Sequence, residues 1–214
     1  MDNNLDESLF GSVDRYLSGL IPARDNVLEQ MENLAREQNF PIIGPLVGEL
    51  LFLLARSIGA HRVLELGSGY GYSAMHFAKA ISVNGKVICT DYKSENALLA
   101  QKYFHDAELS HKLEFHVGNA VEIMESLVGE FDVVLMDVEK EVYPATFRKA
   151  WPRVRTGGLF IADNLLWHGR VFSGDEQPST RAMHEFTRLI YETPGARSSI
   201  IPLRDGVSVT LKTI

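Results

Sequence analysis

The 214-residue sequence predicts an α/β fold: a doubly wound, mostly parallel sheet of about seven strands that ends in an antiparallel hairpin. Three observations carry this. From His61 onward, short apolar runs alternate with stretches whose apolar residues recur at helical spacing. The first of these runs enters a glycine-rich turn, Gly67-Ser68-Gly69-Tyr70-Gly71, ahead of a helix. The last two flank Asp205-Gly206, a strong hairpin signal.

Up to about Asn39 the chain reads as two short helices split at Pro22, with Val27, Met31 and Leu34 at helical spacing. Pro41 and Pro45 break the chain, and Leu46 to Ile58 reads as a helix with Val47, Leu50, Leu51, Leu54 and Ile58 on one face. Strands are predicted at 63–66, 86–90, 113–117, 131–136 and 158–162, with helices between them at 72–80, 94–104, 121–127 and 143–151. A helix at about 180–191 precedes the hairpin strands 198–202 and 207–212. Strands that alternate with helices imply right-handed crossovers and a parallel sheet covered on both faces.

The length suits one domain spanning 1–214, large enough to bury a full core without disulfide or structural metal. The formal net charge of −7 argues against nucleic-acid binding, which needs Lys and Arg patches, and against a polybasic membrane anchor. The single cysteine, Cys89, falls in a predicted buried strand and reads as a small apolar core residue in a reducing compartment. The start, MDNNLDESLF, lacks the basic and apolar regions of a signal peptide, and the apolar run Leu50–Ala55 is too short to span a bilayer. These features predict a soluble, cytoplasmic protein with no nucleic-acid or membrane partner.

The glycine turn marks the place where an open α/β sheet binds a ligand, beyond the carboxyl ends of its strands. A dinucleotide site has the spacing G-x-G-x-x-G and places a pyrophosphate on the helix start. Here the third glycine comes one residue early, and Glu65 precedes the first. A carboxylate there repels a pyrophosphate but pairs with the cationic amino-acid end of a smaller cofactor. Asp91, ending the second strand, is placed either to accept from a ribose diol or to cap the next helix.

At this point the sequence resembles a known family. LELGSGYGYS with Asp91 is similar to the cofactor loop of class I S-adenosylmethionine methyltransferases. GYS, MDVEK and IADNLLWHGRV narrow the resemblance to the small cation-dependent O-methyltransferases of the catechol and caffeoyl-CoA type, from about Pro41 to the C-terminus. The resemblance implies a Rossmann-like methyltransferase fold and S-adenosylmethionine as cofactor, held around Gly67, Gly69 and Gly71. Glu65 and Gly67 would flank its methionine portion with Ser73 nearby, and Asp91 would hold the ribose. Gly118-Asn119-Ala120 would lie along the adenine, Ala120 matching best, and Asp137 would border the cofactor. Residues 1–45 would form a helical cap over the substrate, and the family is commonly homodimeric.

Asp137 ends the fourth strand and Asp163-Asn164 the fifth, so their oxygen-bearing side chains emerge at one sheet edge. Two carboxylates and an amide suit a hard divalent cation, Mg²⁺ foremost with Ca²⁺ or Mn²⁺ as alternatives. They match the family's metal ligands, and Lys140 matches its catalytic lysine; a nearby cation lowers a lysine's pKa, which suits a base. The implied activity is methyl transfer to a hydroxyl of a small, catechol-like acceptor. The rival readings are a nicotinamide-dependent oxidoreductase and a non-catalytic S-adenosylmethionine-binding protein.

Some positions depart from the family or stay open. Pro41 and Ile43 stand where it often has Met and Thr, and Glu139 where it has small or aromatic residues; Glu139 is expected to face solvent. Asp205 is expected to serve only the hairpin turn. Trp167 and His168 either line the acceptor pocket or pack the loop, and Tyr70 and Tyr72 suit core or pocket equally.

Overall fold

The computed structural model describes residues 3–214, with side chains from Gly11 onward; Met1, Asp2 and the side chains up to Phe10 lie outside the described residues. Helices α1 (Asn3–Ser18) and α2 (Asn26–Gln38) flank the Pro22 turn. Asp25 caps α2: its Oδ1 accepts from Val27 N and Leu28 N at 3.1 Å each, satisfying two amides that a helix start leaves free. Helix α3 (Gly44–Ser57) starts two residues before the apolar periodicity does, because Pro45 fits the first turn, where its missing N–H costs nothing.

Seven strands form one sheet: β1 (Arg62–Leu66), β2 (Lys86–Asp91), β3 (Leu113–Val117), β4 (Phe131–Met136), β5 (Val154–Ala162), β6 (Ala196–Ile201) and β7 (Val207–Lys212). Their order is β3-β2-β1-β4-β5-β7-β6. The first five pair in parallel, and β7 lies antiparallel to β5 and β6. Helices α4 (Tyr72–Ala80), α5 (Ser94–Asp106), α6 (Ala120–Ser126) and α7 (Tyr143–Ala150) connect the parallel strands, and α8 (Pro178–Glu192) precedes the hairpin. This is the doubly wound, Rossmann-like arrangement with its antiparallel end.

Side chains of the central strands alternate between two cores. Val63, Cys89, Val133 and Ile161 pack with Met31, Leu51 and Phe77 of α2, α3 and α4. Leu64, Ile88, Val134 and Phe160 pack with Met124, Phe147 and Phe186 of α6, α7 and α8. A sheet covered on both faces has no solvent side, so its strands read as continuous apolar runs. Strand β5 starts at Val154, four residues before its expected start. Its register with β4 slips between Phe131↔Val154 and Val133↔Leu159, and Arg155-Thr156 interrupts the apolar run there.

The strand order reverses between β1 and β4, and this switch positions the site. Backbone hydrogen bonds carry the parallel ladders past the strand ends. Ser68 N donates to Thr90 O (2.8 Å), Asp137 N to Leu66 O (2.9 Å), Gly118 N to Asp91 O (2.9 Å) and Asp163 N to Met136 O (3.3 Å). The loops after β1 to β5 are thereby drawn to one edge. Among the described residues, no helix is long and apolar enough to cross a membrane.

Candidate active site

A cleft of about 1340 Å³ opens at this edge. Its floor carries Gly67, Asp91, Gly118, Ala120, Asp137, Lys140, Asp163 and Asn164, and its outer wall includes Asp14 and Ser18 of α1 and Arg36 of α2. Of the expected cofactor residues, Glu65, Gly69, Gly71 and Ser73 are not in the cleft lining but stand behind it: Gly69 faces the Phe40 ring and Gly71 lies against Ala100 of α5.

Gly67 shows why the turn needs glycine. Its φ is +85°, and a Cβ on it would lie 2.2 Å from the carbonyl oxygen of Asp137. The turn after β1 therefore presses on the end of β4 with no room for a side chain. Behind it, Glu65 is fully buried and its Oε1 has no hydrogen-bond partner among the described residues. Burial pushes its carboxyl up to about 8; the Ser73 and Ser68 hydroxyls and the Cys89 thiol pull the other way, and the Asp137 charge adds to the rise.

Asp91 takes the helix-start role that its position allowed. Its Oδ1 accepts from Lys93 N (2.8 Å) and Asn96 Nδ2 (2.9 Å), fixing the start of α5, while its Oδ2 makes no hydrogen bond among the described residues. Asn119 caps α6 through Val121 N and Glu122 N, which places Ala120 in the first turn at the cleft wall.

Lys140 is buried, 7% exposed, and its three N–H groups meet three acceptors. These are Asp137 Oδ1 at 2.8 Å, the Tyr143 hydroxyl at 2.7 Å and Val138 O at 3.3 Å. Tyr143 in turn donates to Asp163 O at 3.1 Å, so one fully buried phenol links the loop after β4 to the loop after β5. Asp163 is 6% exposed and its Oδ1 has no hydrogen-bond partner among the described residues. Burial, then the Asp137 charge, push its carboxyl up to about 7, against the pull of Asn164 N, Lys140 and Arg204. Asn164 takes left-handed backbone (φ 64°), which Asn tolerates better than most residues. Among the described residues no three His, Cys, Asp or Glu side chains are grouped to hold a metal ion, so a cation here would rely on Asp137, Asp163, the Asn164 amide oxygen and water. The unpartnered Asp163 oxygen fits that role.

Three placements differ from expectation or settle an open one. Asp205 does more than turn the hairpin: it lines the cleft, and its Oδ1 accepts from His168 N at 2.6 Å. Tyr70 and Tyr72 belong to the core, their hydroxyls donating to Met31 O and Glu32 Oε1 at 2.9 Å each. Glu139 is exposed, as expected, but at the rim of the cleft. Sequence reasoning missed Arg204, whose Nη1 reaches across to Ile42 O at 2.7 Å; a lone exposed Arg in a hairpin turn carries no signal of that contact.

The model of the O-methyltransferase family matches residues 23–213. A catechol O-methyltransferase of Niastella koreensis is 31% identical over 206 residues, covering 93% of each chain. A caffeoyl-CoA O-methyltransferase of Pinus taeda is 29% identical over 175 residues, 76% of this chain and 68% of that protein. Among solved structures, the O-methyltransferase TomG of Streptomyces achromogenes, in complex with SAM, has a TM-score of 0.86 and 28% identity over 95% of this chain and 96% of its own. An O-methyltransferase from Bacillus cereus in complex with SAH has a TM-score of 0.84 and 26% identity over 94% and 97%. These likenesses do not favour a nicotinamide enzyme or a non-catalytic binder. A switch-point cleft with a glycine turn at its floor, matched along nearly its whole length to such proteins, belongs to the O-methyltransferase family, and the chain is an S-adenosylmethionine-dependent O-methyltransferase.

Proposed function

We propose that this enzyme methylates one hydroxyl of a small acceptor carrying two adjacent hydroxyls, beside a bound divalent cation. The observation that carries the reading is the buried, unpartnered Oδ1 of Asp163, in the cleft that Asp137 and Lys140 share. A buried acceptor without a partner is costly, and a cation held by Asp137, Asp163 and Asn164 removes that cost. When bound, such a cation lowers the pKa of a coordinated hydroxyl. S-adenosylmethionine supplies an electrophilic methyl on its sulfonium.

The chain's own residues bind, orient and move one proton. Glu65, behind the cleft wall with an unpartnered Oε1, is assigned to the cofactor's ammonium, and glycine at 67 lets the turn close against Asp137 beside the methionine portion. The free Oδ2 of Asp91 accepts from the ribose, and Gly118 and Ala120 flank the adenine. Lys140, having first released one ammonium proton to solvent, takes the hydroxyl proton at Nζ, exchanging its contact with Asp137 for one with the acceptor. The cap role expected of the N-terminal helices rests on Asp14, Ser18 and Arg36, which line the outer cleft, and Tyr143 keeps the two loops in register so that the reacting atoms stay aligned. The activity of the Niastella relative supports a catechol-type acceptor. A homodimer is the assembly the family resemblance implies, and light scattering on the purified chain decides it.

A methyl-transfer screen over catechols, isolated phenols and aliphatic diols, with Mg²⁺ or with chelator, tests the reading. Transfer restricted to vicinal diols and lost in chelator is expected. Equal transfer to isolated phenols, or full activity in chelator, overturns it.

A further inference from the structure

The loop after β5 holds a set of left-handed residues that the β6–β7 turn accounts for. Asn164, Trp167 and His168 all have positive φ, at 64°, 47° and 54°. Left-handed backbone is unfavourable for Trp and His, and persists only where the surroundings impose it. Here the β6–β7 turn imposes it. Leu165 N donates to Gly206 O (2.9 Å), Leu166 N to Asp205 O (2.8 Å) and His168 N to Asp205 Oδ1 (2.6 Å). The fit is tight, since a Cβ on Gly206 would lie 2.6 Å from Leu166 Cγ.

The second carboxylate oxygen of Asp205 is left over. Among the described residues Oδ2 is buried with no hydrogen-bond partner, and it lies 3.6 Å from His168 Nδ1, just beyond hydrogen-bond length. His168 is 73% exposed at its side chain, lines the same cleft as Asp163 and Lys140, and its Nε2 makes no hydrogen bond among the described residues. A carboxylate beside Nδ1 fixes an imidazole as the Nδ1–H tautomer, leaving Nε2 as an acceptor.

We propose that Asp205 and His168 form a specificity pair: Asp205 positions the His168 ring, and His168 Nε2 accepts from the acceptor hydroxyl that is not methylated. This rests on the vicinal-hydroxyl reading of the site. Accepting from one hydroxyl fixes which of the two faces Lys140, so the pair sets which oxygen is methylated. Trp167 holds the ring's other side: it lies 5.4 Å from the imidazole, and its indole N–H donates to Ser179 Oγ at 3.1 Å.

The test compares wild type with D205N and H168F, using a 3,4-dihydroxyphenyl acceptor and product analysis at both oxygens. Nitrogen NMR of the His168 ring in the SAH complex at alkaline pH reads the tautomer independently of turnover. The expected results are a ring fixed as Nδ1–H in wild type and a tautomer mixture in D205N. In both variants KM for the acceptor should rise about tenfold, the order of one lost hydrogen bond, with kcat changed less, and the product ratio should fall toward parity. SAH affinity, read by calorimetry, should stay within about twofold, which separates this outcome from a collapsed loop. An unchanged tautomer, KM and product ratio in D205N overturns the pair, as does loss of SAH affinity with no change in ratio. If wild type methylates no vicinal diol, the acceptor reading fails and takes the specificity role with it, while the tautomer still reports whether Asp205 orients the ring.

Discussion

Lys140 Nζ lies 2.8 Å from Asp137 Oδ1, one short turn further along the chain, and both groups face the same cleft. The ammonium is buried among three acceptors, so its position is set by β4 and Tyr143 and not by solvent. Replacing Lys140 with Met should therefore remove a proton acceptor without loosening the cofactor. We expect K140M to lower kcat by about 10²–10⁴-fold, the usual contribution of a general base. SAH affinity should stay near wild type by calorimetry; K140M turnover within tenfold of wild type would rule the base role out.

Gly67 makes a sharper steric prediction. Alanine there must find room for a Cβ 2.2 Å from a backbone oxygen, at a φ of +85°. Neither partner is the end of a flexible side chain, so the turn or the end of β4 has to move. We expect G67A to cost about 1–3 kcal/mol of strain, and thus to lower Tm by roughly 2–10 °C for a domain of this size. Cofactor binding should be lost along with the close approach. A thermal melt and an SAH titration check both, and a variant with normal Tm and normal SAH binding contradicts this account of the turn.

The role proposed for Glu65 links cofactor binding to protons. Its carboxyl is raised from 4.5 to about 8 in the empty protein, mainly by burial. A raised folded-state value means that the stability this group lends is complete below about pH 4.5 and is lost as pH climbs through 8. Wild-type Tm without ligand should therefore fall between pH 5 and 9 more steeply than that of E65Q. Near pH 7 a cationic ligand must displace the proton, so SAH affinity should rise by up to about tenfold per pH unit as pH approaches 8 from below. Calorimetry in buffers of differing ionisation heat should show proton release on binding. E65Q should be as stable or more stable when empty at pH 9 and bind SAH poorly; equal pH slopes for the two proteins would count against a buried, protonated Glu65.

How far these features could be read in advance depended on whether they are local. The central strands were legible because burial on both faces leaves residues 63–66 apolar around Glu65 and residues 133–136 apolar throughout. Asp137, Asp163 and Asn164 were legible because parallel strands deliver their ends to one edge, and Lys140 through the family resemblance; the cleft does gather all four. The start of β5 was hidden by Arg155, whose charge breaks the apolar run and is matched by Asp132 on the neighbouring strand, 23 residues away. Asp205 was hidden for a related reason. Asp-Gly in a hairpin already has a sufficient local explanation, and its contact with His168 spans 37 residues. No periodicity or motif reports a pairing of that kind.

The cation prediction turns on Asp163. An oxygen buried without a partner, on a carboxyl held near 7 by burial and by Asp137, is an energetic cost that the empty protein carries. A divalent ion shared with Asp137 and Asn164 removes it, so the ion should stabilise the fold as well as support turnover. At about 100 times its dissociation constant a ligand adds about 2.7 kcal/mol, which corresponds to a Tm increase of roughly 5–10 °C in a domain of this length. Because the carboxyl must ionise to bind the ion, the increase should be larger at pH 8 than at pH 6. D163N removes the orphaned carboxylate, so it should abolish the Mg²⁺-dependent rise in Tm at both pH values while leaving SAH binding measurable. A wild-type Tm that ignores Mg²⁺ at pH 8, together with turnover that survives chelation, would leave Asp163 as a buried carboxyl without a cation, and the enzyme as one that relies on Lys140 alone.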